Sequence, residues 1–384
     1  MYLIMKKKIN ILGSTGFIGK KVLKIIHKDI DSYKINFLLA NNNFKLLAKQ
    51  ANFFKPLSVG IINKKYFKQL KNLINNNKIK IIAGDDCYNY LKSKVDISIL
   101  AISGISSLKF IDLLIINSNK VGIVNKECIV SAGEFIMRLA KKHNTKIIPL
   151  DSEHYSIYNF LLNYNLSNFR NLKKIYLTAS GGPFLNTDAN LLRKVSLKAA
   201  INHPTWKMGY KNSIDSSTMI NKCLEIIEAH YLFNLNYEQL DFVIHPESLV
   251  HSIINNLDGS LIFNLFNNDM SIPIYSALND TIENPYNNLN VNNIHNISFI
   301  NPSRSKFKSL KVFDQLDKSS TSEIIVFNAS NEYAVNLFIK NKIKYDKIVD
   351  YINKSLNRFE KVKICNIKEV IQYQNYVYKS LHNR

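Results

Sequence analysis

The stretch that most constrains this chain runs from Lys6 to Gly19. There a short strand, Lys-Lys-Lys-Ile-Asn-Ile-Leu, breaks into Gly13-Ser14-Thr15-Gly16-Phe17-Ile18-Gly19 and then into a helix with Ile18, Val22, Ile25 and Ile26 on one face. A strand that turns through glycines into a helix belongs to a βαβ unit, and the helix N-terminus offers unpaired N–H groups to a pyrophosphate. Alone, this GxxGxxG variant of the dinucleotide fingerprint is weak, because such turns also occur without a ligand. The context strengthens it. Strand candidates at Tyr33 to Ala40, Leu57 to Ile62, Lys80 to Ala83, Val95 to Ala101, Lys120 to Val124 and Lys146 to Leu150 alternate with helical stretches or short loops. That alternation predicts an α/β, Rossmann-like doubly wound sheet.

Ligands of such sheets gather at the carboxyl ends of the strands. Three of those ends are polar: Ile102-Ser103-Gly104, Asn125-Lys126-Glu127 and Asp151-Ser152-Glu153-His154. At the last, an extended backbone would point Asp151 and Glu153 the same way, so that both could serve a hard divalent cation, Mg²⁺ or Mn²⁺. The competing reading is a helix N-cap, which Asp or Ser followed by Glu also satisfies. The second strand ends in Asn41-Asn42-Asn43, without the acid that would hold a ribose 2′-hydroxyl. NADP is therefore favoured over NAD, although no Arg follows either.

Beyond a helix at about His154 to Asn163 the pattern changes to α+β. A strand, Leu172 to Thr178, leads into Ala179-Ser180-Gly181-Gly182-Pro183-Phe184, and a Pro- and Gly-bounded stretch, His203-Pro204-Thr205-Trp206-Lys207-Met208-Gly209, holds the only tryptophan. That tryptophan is either a core anchor or part of a lid. Ser216 to Phe233 reads as one helix, with Asn221, Glu225 and Glu228 on a polar face and Lys222 beside it. Two strands, Leu249 to Ile254 and Leu261 to Phe266, flank an Asp258-Gly259 turn, and the Asn-rich stretch Asn284 to Asn296 has linker composition. Thr321 to Ile339, Tyr345 to Phe359 and Ile367 to Leu381 show helical periodicity. The expected organisation is a cofactor domain over 1–150, a catalytic domain over 151–283, a linker over 284–305 and a helical bundle over 306–384.

Length, 384 residues, suits two or three domains. The net charge of +22 raises nucleic acid as a partner, but the lysines are spread among Asn and Ile with no continuous basic stripe, so solvated faces account for them. Cys87, Cys128, Cys223 and Cys365 form no CxxC pair, which argues against a zinc site or disulfide framework and fits a reducing cytoplasm. A strand beginning near Lys8 leaves no room for a leader, and no apolar run has membrane-spanning length.

Taken in order, the glycine-rich turn, Asn125-Lys126-Glu127, Asp151-Ser152-Glu153-His154, Ser180-Gly181-Gly182-Pro183-Phe184, the His203 to Gly209 stretch and Asn221-Lys222-Cys223-Leu224-Glu225 resemble the 1-deoxy-D-xylulose 5-phosphate reductoisomerase family. Val243-Ile244-His245-Pro246-Glu247-Ser248 and Asn328-Ala329-Ser330-Asn331-Glu332 extend the resemblance over nearly the whole chain. It implies an NADPH domain, a catalytic domain with a lid and a C-terminal helical domain, usually in a homodimer. It also implies conversion of 1-deoxy-D-xylulose 5-phosphate to 2-C-methyl-D-erythritol 4-phosphate, a step of isoprenoid precursor synthesis.

Carried over by residue, the resemblance makes Asp151, Glu153 and Glu225 ligands of Mg²⁺ or Mn²⁺. Ser180, Ser216, Asn221 and Lys222 would hold the substrate phosphate, Lys126 and Ser152 would face the reacting hydroxyls, and His203 and Trp206 would lie on the lid. NADPH would meet Gly13, Thr15, Gly16, Phe17, Ile18, Asn41, Asn42, Asn43, Asn125, Glu127 and Gly209. Two departures stand out. Phe17 replaces a small Ser, and Asn41-Asn42-Asn43 replaces Gly-Lys-Asn, leaving only Lys45 close by. The alternatives are an ordinary NAD(P)-dependent sugar or semialdehyde dehydrogenase without a metal site, and a nucleotide-sensing or nucleic-acid-binding protein.

Overall fold

The computed structural model describes residues 6–164, 171–206, 209–279, 281 and 283–382, with residue 293 described by its backbone alone. Parallel strands buried on both faces need apolar runs, which the first seven strands supply toward their carboxyl ends, while buried Asn10, Ser98 and Ser118 satisfy one another by hydrogen bonds across the sheet. The seven strands are β1 (Lys7–Leu12), β2 (Tyr33–Ala40), β3 (Ser58–Ile61), β4 (Lys80–Ala83), β5 (Val95–Leu100), β6 (Ser118–Ile123) and β7 (Lys146–Pro149). They form one parallel sheet in the order β4-β3-β2-β1-β5-β6-β7. The order reverses beside β1, so the doubly wound expectation holds and the crevice at the carboxyl ends falls at the glycine-rich turn.

The chain divides into two compact units. Unit one comprises 1–128, 136–158 and 269–287, and unit two comprises 129–135, 159–268 and 288–384. The reason is core continuity. Helix Ser271–Leu278 puts Ile274, Ala277 and Leu278 into the same core as Ile9, Val22 and Ile26. Lys7 Nζ donates to Leu278 O at 3.2 Å and Tyr33 Oη donates to Asn279 Oδ1 at 2.8 Å, fastening that helix to the start of the sheet. The stretch expected as a linker begins attached to this unit, where Asn284 Nδ2 donates to Ile272 O.

Unit two is built on a mixed sheet, β11-β10-β8-β9, from β8 (Leu172–Ala179), β9 (Leu240–Ile244), β10 (Val250–Asn256) and β11 (Leu261–Leu265). The expected β10 and β11 hairpin is present, and β9 adds a parallel neighbour to β8 that the sequence reading did not include. Helices Lys308–Gln315, Thr321–Ile339, Lys347–Leu356 and Ile367–His382 complete the unit, the first of them unforeseen. Val326, Ala329 and Tyr333 pack with Val377 and Leu381. The bundle also grips the segment before helix Ile220–Phe233: Asn331 Nδ2 donates to Asp215 Oδ1 at 2.9 Å, Tyr345 Oη to Ser217 Oγ at 3.0 Å, and Ser309 Oγ to Thr218 O. Among the described residues no helix is long and apolar enough to cross a membrane.

Candidate active site

In unit one the glycine-rich turn is held by backbone bonds. Gly13 and Ser14 N–H both donate to Leu39 O, at 2.8 and 3.0 Å, and Gly16 N–H donates to Gly13 O at 2.9 Å. Gly13 has φ +86°, and a Cβ there would stand 2.4 Å from Ala101 O, so only glycine lets β1 leave the sheet this way. Buried Ser14 is locked to Gln50 by a pair of bonds, 2.8 and 2.9 Å. Gly16 caps helix Phe17–Lys28 with no side-chain bond, which leaves first-turn amides available. Phe17 points outward at 55 % exposure and does not fill the turn. This cradle fits a dinucleotide pyrophosphate.

The neighbouring strand tips meet the same edge. Asn125 is buried and works as a knot: its Oδ1 accepts from Glu127 N–H, and its Nδ2 faces Ile102 O, Gly104 O and Ser107 Oγ. It thereby ties the end of β6 to the loop after β5 and starts helix Lys126–His143. Lys126 Nζ donates to Asp151 Oδ2 at 2.9 Å, and both groups are nearly buried.

The extended reading of Asp151 to His154 is corrected by the structure. β7 ends at Pro149 and Ser152 already opens helix Ser152–Asn163. Asp151 accepts from Glu153 N–H at 3.3 Å and from His154 Nδ1 at 3.2 Å, so it stands at the helix start, where free amides and the dipole favour a carboxylate. The cap and the acidic pair are compatible: one carboxylate oxygen of Asp151 and one of Glu153 lie within 4.8 Å of each other. Ser152 Oγ donates to Glu153. Two carboxylates and a hydroxyl form a hard donor set, which fits Mg²⁺ or Mn²⁺.

In unit two, β8 delivers Ser180 to a turn in which Gly181 and Gly182 take φ +87° and +66°. A Cβ on Gly182 would stand 3.0 Å from Ser216 O, so this turn presses backbone to backbone on the end of helix Tyr210–Ser217. His203 binds them together. Its Nδ1 accepts from Thr205 and Trp206 N–H at 3.2 and 2.9 Å. Its Nε2 is therefore the protonated nitrogen of a neutral ring, 2.9 Å from Ser180 Oγ and 3.1 Å from Ser216 Oγ. Burial pushes its pKa down to about 4.

The single helix expected over Ser216 to Phe233 is two. Tyr210–Ser217 ends, Met219 takes φ +64°, and Ile220–Phe233 begins. The break separates Ser216 from Asn221, Lys222 and Glu225, yet it lies inside the segment the C-terminal helices grip. Buried Lys222 donates to Thr178 O at 2.5 Å and pairs with buried Glu225, which also accepts from Asn221 Nδ2. Trp206 is half-buried and lies outside the buried core, while Lys207 and Met208 lie outside the described residues. Gly209 precedes helix Tyr210–Ser217 with open space around it. Sequence reasoning missed Asp215, buried between Lys211 at 2.6 Å and Asn331, because an acid in an amphipathic pattern carries no mark of burial.

A parallel doubly wound sheet with a glycine cradle and an acidic pair on its carboxyl edge defines a dinucleotide-dependent oxidoreductase with room for a hard cation. Family comparison narrows the class. Residues 9–133 match the model described as 1-deoxy-D-xylulose 5-phosphate reductoisomerase, and residues 147–233 and 265–379 match its two C-terminal domain models. A reductoisomerase of that name from Clostridium novyi is 37 % identical over 98 % of this chain and 99 % of its own length. One from Wolbachia pipientis is 39 % identical over 94 % and 92 %. Among solved structures, the Zymomonas mobilis reductoisomerase in complex with NADPH superposes with a TM-score of 0.90 at 30 % identity, covering 98 % of both chains. A reductoisomerase complex with NADPH, fosmidomycin and magnesium gives 0.88 at 31 %, covering 98 % of this chain and 97 % of the other. The chain belongs to the 1-deoxy-D-xylulose 5-phosphate reductoisomerase family.

Proposed function

We propose that this chain converts 1-deoxy-D-xylulose 5-phosphate to 2-C-methyl-D-erythritol 4-phosphate with NADPH and Mg²⁺ or Mn²⁺, a step of isoprenoid precursor synthesis. The observation that carries the reading is the pairing, on one sheet edge, of the Gly13 cradle with the Asp151 and Glu153 carboxylates. Asp151, Glu153 and Glu225 are the proposed metal ligands. When bound, the cation supplies Lewis-acid polarisation of the sugar carbonyl and hydroxyl, and NADPH supplies the hydride.

The rest is the work of side chains. Lys126, whose ammonium donates to Asp151, orients the reacting hydroxyls together with Ser152. Ser180, Ser216, Asn221 and Lys222 bind the phosphate, hydroxyls and amide by hydrogen bonds and the ammonium by charge. Neutral His203 holds the two serines in place without adding a charge. Trp206 would cover the carbon chain and exclude water, and Gly209 would lie on the nicotinamide side. Gly13, Thr15, Gly16, Phe17 and Ile18 take the pyrophosphate; Asn41, Asn42 and Asn43 meet the adenosine end; Asn125 and Glu127 shape the strand tips beside it.

A cytoplasmic homodimer completes the proposal. Its support is β11, an edge strand with exposed Leu261 and Phe263, the latter stacked on Phe299 at 5.6 Å. The deciding experiment is NADPH oxidation with 1-deoxy-D-xylulose 5-phosphate, with and without Mg²⁺ or Mn²⁺, followed by fosmidomycin. Turnover that needs the metal and stops with fosmidomycin is expected. Turnover that survives EDTA removes the metal assignment.

A further inference from the structure

The turn after β2, Asn41-Asn42-Asn43, carries neither the acid that would repel a 2′-phosphate nor a basic residue to attract one. The adjoining strand brings cations to it. Past the end of β3, Ile62 N–H donates to Ala40 O at 3.0 Å and Asn63 N–H to Asn41 O at 3.1 Å. Asn63 Nδ2 then donates to Asn42 Oδ1 at 2.9 Å, while its Oδ1 accepts from Lys65 N–H at 3.3 Å. Asn63 is thus a clamp that fixes the Lys64-Lys65 turn to the Asn41-Asn42 turn.

The two lysines leave the clamp differently. Lys64 lies along the end of β4, where a Cβ on Gly84 would meet its Cε at 2.0 Å. Lys65 Nζ sits 4.9 Å from the centre of the Tyr66 ring, and that ring stacks at 5.0 Å on Phe44, the residue directly after Asn43. The Lys65 ammonium is therefore held beside the β2 turn on an aromatic support, exposed and without an ion-pair partner among the described residues. A solvated, pre-positioned cation next to a turn that lacks repulsion is what recognition of a phosphomonoester requires.

We propose that Lys65 is a specificity-determining residue for the cofactor, supplying from the β3 side the charge for the NADPH 2′-phosphate that Asn41-Asn42-Asn43 does not. The inference rests on the NADPH-dependent reading above and concerns the adenosine end alone. The test is calorimetric binding of NADP⁺ and NAD⁺ to the full chain, without turnover. Lys65→Gln is expected to weaken NADP⁺ about tenfold or more, the size of a charge-assisted contact, and NAD⁺ by less than about twofold. Adding Asn42→Lys to Lys65→Gln is expected to restore NADP⁺ binding. Lys64→Gln and Lys45→Gln are expected to change the NADP⁺ to NAD⁺ ratio by less than about twofold. Unchanged NADP⁺ affinity in Lys65→Gln, an equal loss for both cofactors, or a larger loss from Lys64→Gln or Lys45→Gln overturns the Lys65 assignment while wild-type binding leaves the cofactor reading intact. A wild-type chain that binds neither cofactor overturns both.

Discussion

The cradle around Gly13 and the cluster around His203 are proposed for different parts of one reaction, and they are made of different materials. The cradle is backbone: carbonyls, amides and a glycine at φ +86°, with Phe17 turned out to solvent. The cluster is side chain: a neutral imidazole between two hydroxyls, and a buried Lys222 and Glu225 pair on a helix that begins after a left-handed Met219. Backbone donors do not depend on residue identity, and a bulky Phe17 turned out to solvent leaves them in place. Side-chain clusters depend on every member. Substitutions in the cluster are therefore expected to cost more than those at the exposed positions of the cradle.

Lys222→Ala is the severest way to break that contrast. It removes the buried cation beside Glu225, and breaking a buried pair costs about 3–5 kcal/mol. Thermal unfolding should show the loss, and the surviving enzyme should have its KM for substrate raised far more than its KM for NADPH. Equal rises in both would remove Lys222 from the phosphate. Glu153→Gln comes next, since it keeps shape and deletes a ligand charge. Loss of residues that merely support metal ligands costs about 10–100-fold, so turnover here should drop at least about a hundredfold with unfolding unchanged. Activity near wild type at saturating Mg²⁺ would sink the assignment.

Gly13→Ala probes the cradle where it does depend on identity. A Cβ 2.4 Å from Ala101 O at positive φ should cost about 1–3 kcal/mol and weaken NADPH before it affects substrate. His203 gives a smaller, pH-dependent effect. Its folded pKa of about 4 lies below the ordinary 6.5, so as pH falls the unfolded chain takes up the proton first. The resulting stability is complete above the unfolded value, is lost between the two, and does not change further below about 4. The unfolding temperature of wild type should therefore approach that of His203→Gln as pH drops through this window; a constant gap would mean the ring is not held neutral.

The same contrast decides what the sequence made legible. The cradle and its sheet rest on local signals, glycines at fixed spacing and apolar runs, so strands such as Tyr33 to Ala40 and Lys80 to Ala83 end where expected. β9 was missed although Leu240, Phe242 and Ile244 alternate inward, because five residues make a short signal after a long helix. The break at Met219 has only a weak local sign, the run Asp215-Ser216-Ser217-Thr218, whose Ser217 and Thr218 hydroxyls bond back to Ile214 O. Methionine is a good helix former, and its left-handed backbone is imposed by distant residues, Ser309, Asn331 and Tyr345, pulling on the segment before it. Asp151 misled for a related reason: an alternating carboxylate pattern and a helix start look alike until the strand's end is known to the residue.

Trp206 offers the mildest test and separates the two readings its sequence left open. A core tryptophan cut to alanine costs about 3–5 kcal/mol, but Trp206 is half-buried and stands outside the core. Its backbone N–H is anchored to His203 Nδ1, and its half-buried ring keeps a solvent-facing surface. Trp206→Ala should therefore change stability by less than about 1 kcal/mol and act chiefly on turnover. As the chain's only tryptophan, it also reports on itself. Adding fosmidomycin with metal and NADPH should shift and quench its emission, and in His203→Gln, where the anchor is altered, the shift should shrink. An unchanged spectrum together with a large loss of stability in Trp206→Ala would assign the ring to the core, and the His203 cluster would then be a structural knot instead of the root of a lid.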